Sequence, residues 1–201
     1  MKPCPANPRH SLWDSLVMGV MALIMTVPAL PTLAFQEADL ERLRLAGVCS
    51  RCNLRNAELI GEDLQNAVLV QTNLQGANLR DTNLTGAILV QANLVDAILS
   101  NASLESANLR NVGLVRADLS HVNLTDADLL GADLRNANLT DATLQSASLI
   151  GVNLDGANLQ GADLTNADLW GALVTRERIS QAQLCRTRLP DGSQVNRDCG
   201  E

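Results

Sequence analysis

The sequence predicts an all-β solenoid, a chain that turns once per short repeat and stacks its turns on one another. Three observations carry that reading. Leucine recurs at every fifth residue, as in LTDADLLGADLRNANLTDATL (124–144), usually with alanine two places before it. From Leu54 to Leu169 the central position is Leu 24 times out of 24, and the position two before it is Ala in 17 of these. Aromatic residues are nearly absent, with no Tyr, one Phe and two Trp in 201 residues, yet hydrophobic content is 46%. Small identical side chains must therefore do the packing that rings do elsewhere.

A period of five excludes the regular alternatives. In a helix, leucines five apart would step around the cylinder by about 140° and form no single stripe. In a flat strand, side chains alternate with period two, so an odd repeat throws successive leucines to opposite faces. A chain that bends once per repeat brings every Leu, and every residue two before it, into one interior. The residue two after Leu is often Gly, Asn, Asp or Ser, types that serve tight corners.

Residues 1–34 read differently. Lys2 and Arg9 precede an apolar run from Leu16 to Val27, and Thr32-Leu33-Ala34 offers small residues at a cleavage site. This pattern is that of a secretory signal. The rival is an uncleaved anchor from Leu16 to Ala34, barely long enough to span a bilayer and broken by Pro28 and Pro31. Cleavage would leave 13 Arg against 21 acids, a formal net charge of −8, with no insertion in the membrane and no basic footprint for nucleic acid. It would also leave Cys49, Cys52, Cys185 and Cys199, an even number open to oxidation.

Residues 35–51 read as a cap. Leu40 and Leu43, with Leu45 as a further candidate, recur at roughly helical spacing, acids come early, Arg42 and Arg44 late, and Gly47 follows. Such a helix would cover the raw end of the core. Glu62 stands at an otherwise inward position, and Arg42, Arg44 or Arg51 is expected to pair with it. Cys49-Ser-Arg-Cys52 is a C-x-x-C motif, but both cysteines fall at inward positions when counted back from Leu54. They are read as core residues or a local disulfide, and a thiol-redox role is the alternative.

The A-(D/N)-L-x-x units, such as Ala117-Asp118-Leu119 and Ala157-Asn158-Leu159, resemble the pentapeptide-repeat family over about Cys52 to Val174. The resemblance implies a right-handed, four-sided parallel β-helix in which four repeats make one coil, about six coils over 52–174. It implies little about activity, since members range from gyrase-protecting DNA mimics to exported proteins of unknown activity. The C-x-x-C-Asn-Leu lead-in and the Pro-Asp-Gly, Arg-Asp-Cys tail resemble exported members abundant in cyanobacteria. For those the destination is the periplasm or the thylakoid lumen.

Coils of twenty place residues n and n+20 directly above one another. Thr72, Val112 and Val152 then share one inner column, and Thr82 and Val122 the opposite one, large and small alternating with Ala. The outer columns are mostly polar, with one exception. Val70, Val90, Arg110, Leu130, Ile150 and Trp170 follow Leu on the fourth face, beside Val68 and Ile88. This stripe is the candidate binding or dimerisation surface; coverage by a terminal segment of the chain is the rival explanation.

Residues 175–201 read as a second cap. The phase continues through Val174, Ile179, Leu184 and Leu189, while Glu177 and Thr187 are expected to break the inner column. Pro190-Asp191-Gly192 is a turn between short extended pieces, and Cys185 and Cys199 are placed to close a loop.

Enzyme chemistry has little to stand on: no phosphate loop, nucleophile triad or metal cluster appears, and no cofactor is expected. Acids such as Asp81, Asp96, Asp118, Asp128 and Asp133 fall on different faces, which weakens the DNA-mimic reading despite 14 acids against 5 Arg between Leu54 and Val174. The Asn-x-Thr sequons at Asn83 and Asn123 are by-products of the repeat. The expected function is that of a non-enzymatic scaffold or interaction module outside the cytoplasm, its partner an unidentified protein or a second copy.

Overall fold

Parallel backbone pairing keeps one register from Val48↔Val68 to Asp168↔Arg188, every pair twenty residues apart, with a gap only after Asn158. The computed structural model describes residues 37–200; the expected signal at 1–34 and the first two residues of the expected cap lie outside them. Four pentapeptides thus complete each coil, and the ladder reaches beyond 52–174 at both ends. The central leucines from Leu54 to Leu169 are at most 5% exposed.

One repeat shows why these residue types recur. In Thr72-Asn73-Leu74-Gln75-Gly76, the Thr72 N–H donates to the Leu69 carbonyl at 3.3 Å, closing the turn. The Asn73 N–H donates to Cys52 of the coil before, and the Leu74 and Gly76 N–H groups donate to Asn93 and Val95 of the coil after. The fifth donor, Gln75 N–H, has no backbone partner and is taken by the Asn73 Oδ1 at 3.2 Å. The preference for Asn or Asp before Leu follows, because a short side-chain acceptor completes the backbone accounting.

The corner is equally constrained. Every residue two after the central position, from Arg51 to Gly171, has φ between 54° and 74°. With the turn bond running from Leu to the residue three on, this is a turn with its third residue left-handed, where Gly, Asn and Asp cost least.

The inner columns stack as expected, with Thr72, Thr82, Val112, Val122 and Val152 all buried. Thr72 and Thr82 keep their hydroxyls satisfied by donating to the carbonyls of Cys49 and Leu59. Thr187 corrects the expectation that it breaks its own inner column, the one that runs through Ala167. It is fully buried and donates to the Leu164 carbonyl at 2.7 Å, the same device at the same offset of 23 residues.

Helix α1, Glu37–Ala46, covers the first coil with Leu40 and Leu43, whereas Leu45 is 80% exposed and takes no part. It stops at Gly47, whose φ of 65° and N–H bond to the Leu43 carbonyl make a left-handed cap. Arg44 donates to Glu62 through Nε at 3.0 Å and Nη2 at 2.5 Å, so the anticipated pairing falls on that arginine. At the other end α2, Arg176–Ile179, replaces one side of the last coil, and the Arg178 guanidinium donates to the Ala157 carbonyl where a backbone N–H would otherwise stand. Strand β1, Thr187–Arg188, then pairs antiparallel with β2, Gln194–Val195, through the Pro190-Asp191-Gly192 turn.

Candidate interaction face

The fourth face is built by the coil register, which places Val48, Val68 and Ile88 in one outward column. Val70, Val90, Leu130 and Ile150 are half-buried among their neighbours, while Ile88 and Trp170 are 37% and 52% exposed. The stripe is two patches rather than one. Arg110 Nη1 reaches Asp128 Oδ2 at 3.0 Å and lays an ion pair across it, so Val68, Val70, Ile88 and Val90 form one group and Leu130, Ile150 and Trp170 the other.

Two features of the face escaped the sequence reading. Val48, 45% exposed, extends the first patch by one coil; subtracting twenty from Val68 would have found it. The second concerns the backbone. Where Asn or Asp precedes Leu it commonly caps the N–H two residues on, as Asn93 does for Val95 at 3.2 Å and Asp128 for Leu130 at 3.0 Å. Val68 and Ile88 cannot do this, so among the described residues the Val70 and Val90 N–H groups have no protein partner, a state they share with other corners such as Ile60, Arg80 and Ile150. The apolar patch therefore carries two unclaimed donors.

The second patch ends beside the C-terminal hairpin. The Arg188 guanidinium lies 5.4 Å from the centre of the Trp170 ring, within cation–π range, and Gly192 sits close to the ring edge. The hairpin flanks Trp170 but leaves half of it exposed.

Elsewhere the surface is mainly polar, with Ile60 and Leu173 as exposed exceptions. Arg116 grips Asp96 of the preceding coil with two bonds of 2.7 Å, and Arg135 grips Asp133 two residues back in its own coil. These hydrogen bonds hold the Asp96 and Asp133 carboxyls below the usual carboxylate range. At Asp163 burial pushes the carboxyl up, but bonds from Gln145 and Thr165 outweigh it and the net shift is downward.

Among the described residues the cysteines form two disulfides, Cys49–Cys52 and Cys185–Cys199. The first lies under α1 with its cysteines 0% and 3% exposed. Asp39 approaches it closely, but sulfurs joined to each other have no thiolate to offer a metal or a substrate.

The chain belongs to the pentapeptide repeats: that family's profile matches in overlapping segments over residues 48–171. A solved pentapeptide repeat protein, Rfr23 of the cyanobacterium Cyanothece 51142, is 30% identical over 65% of this chain and 97% of its own, with a TM-score of 0.40. HetL of Nostoc sp. PCC 7120, involved in heterocyst differentiation regulation, is 33% identical over 74% of each chain, TM-score 0.28. A pentapeptide repeat protein of the Arabidopsis thaliana thylakoid lumen is 26% identical over 63% of this chain and 74% of its own, TM-score 0.29. No curated protein matches.

Proposed function

We propose that the chain is a non-enzymatic scaffold that binds a protein partner, or a second copy of itself, through the fourth face. The observation that carries this is the patch of Val48, Val68, Val70, Ile88 and Val90, apolar side chains beside two unclaimed backbone donors. Water solvates such N–H groups adequately, but a partner segment that covers the valines and offers carbonyl oxygens satisfies both requirements together. The two disulfides favour an oxidising compartment outside the cytoplasm, which accords with the signal-like pattern of residues 1–34.

Two alternatives have weaker support. A DNA mimic acting on a gyrase-like target needs ordered rows of free carboxylates, whereas Asp96, Asp128, Asp133 and Asp168 are each bonded to an arginine. A thiol-redox role for Cys49 and Cys52 needs an accessible sulfur, and both are buried.

The test is acrylamide quenching of a tryptophan placed on the patch by Val70→Trp, in the chain carrying Trp13→Phe and Trp170→Phe, over a wide dilution range, with Ile88→Arg as control. Protection that dilution removes, and Ile88→Arg abolishes, identifies a second copy on the face. Ready quenching at every concentration leaves the face open for another protein, to be trapped by a photo-crosslinker at Val90. Protection that persists at every dilution means the chain covers the face itself, and the proposal fails.

A further inference from the structure

We infer that the C-terminal end of the core binds the tail of a single-chain carboxylate amphiphile, its head held at Arg176. Val174, Ile179, Leu184 and Leu189 are the four inward central residues of the last coil, the positions held by leucine throughout the ladder. Below, every such set is roofed by the next coil. Here the roof is incomplete: α2 and the β1–β2 hairpin surround a cavity of about 510 Å³ with these four residues in its walls. That size and apolar lining, with a few polar groups at the rim, match sites that bury small ligands.

Charge selects the head group. Arg176 and Arg197 stand at the rim against Asp191, an excess of one positive charge in a chain of formal net charge −7. Arg197 is already engaged by Asp198 at 2.8 Å and by the Ala182 carbonyl. Arg176 is not: its side chain is 96% exposed and its contact with Asp191 is 3.8 Å long. A carboxylate there gains a charged partner while its alkyl chain leaves water for the core end. A cationic head would meet repulsion from Arg176.

The experiment is isothermal titration calorimetry of the full chain with decanoate and with decyltrimethylammonium. Saturable binding of decanoate alone is expected, with shifts in the Ile179 and Leu184 methyl resonances. Val174→Trp, which fills the mouth, should abolish it, and Arg176→Glu should weaken it about threefold, the scale of one exposed ion pair. Ile150→Arg, on the fourth face, should leave it unchanged, which separates this site from the surface proposed above. No saturable heat, equal affinity for the cationic amphiphile, or methyl shifts confined to residues outside the cavity overturns the inference.

Discussion

The Asp39 carboxylate accepts the backbone N–H of Asn53 at 2.9 Å. In every later coil the equivalent N–H donates to the carbonyl of the coil before, as Asn73 does to Cys52. Asp39 therefore stands in for a coil that does not exist. Asp198 does the same at the opposite end, accepting the Leu184 N–H at 2.8 Å, and Asn196 accepts that of Arg186 at 3.0 Å. Both raw edges are partly closed by side chains, which blunts edge-to-edge pairing between copies.

Asp39 is 9% exposed, so removing it leaves a largely dry donor behind. Asp39→Ala is expected to cost about 2 kcal/mol, the range for a hydrogen bond to a charged group, read from the urea midpoint. Asp39→Asn, which keeps an acceptor, should recover about half of it.

Acid should loosen the C-terminal cap through Asp198. The Arg197 hydrogen bond, and then the Leu184 N–H, hold its carboxyl below the ordinary range. A folded-state value lower than the unfolded one means the stabilisation is complete above the unfolded value, about 3.9, and is lost as pH falls through the folded value. Hydrogen exchange at the Leu184 amide, corrected for intrinsic rates, should therefore accelerate below about pH 4. In Asp198→Asn that acid-dependent step should disappear.

The corners make a backbone prediction. Gly131 has φ of 69°, and a Cβ there would lie 2.5 Å from the Asn111 Oδ1 of the coil before. Gly131→Ala is expected to cost about 1–2 kcal/mol, mainly from the left-handed conformation, since the Asn111 side chain can turn aside. Asn136, with φ of 57°, already occupies a corner; Asn136→Gly should stay within about 0.5 kcal/mol of the parent. Thermal unfolding of the two variants compares them directly.

How far the sequence could be read depended on whether a position is set by register or by local exception. The leucines, the alanine column and the fourth face follow from counting by five and twenty, and Val48 was available to the same count. Thr187 was misread because threonine looks polar. Its fitness for the core rests on a carbonyl 23 residues back, which only the stacked coil brings near. Leu45 was placed by spacing alone, yet the helix ends one residue on and turns it to solvent. The edge caps Asp39 and Asp198 carry no sequence signal, because their partners are backbone groups left over where the ladder stops.

The two disulfides should differ in the order in which they open. Cys49 and Cys52 are sealed beneath α1, whereas Cys185 and Cys199 are half-buried in a terminal segment. Exchange requires a reductant thiolate to reach sulfur, so dithiothreitol under native conditions should open Cys185–Cys199 first, with Cys49–Cys52 following only as fast as α1 lifts. Maleimide tagging with mass spectrometry gives the order. Asp39→Ala, which weakens the anchoring of α1, should speed tagging of Cys49 and Cys52 while leaving Cys185 and Cys199 unchanged. Prompt tagging of Cys49 and Cys52 in the parent chain would instead return the thiol-redox alternative to first place, because it would show that the buried pair is presented to reductants without unfolding.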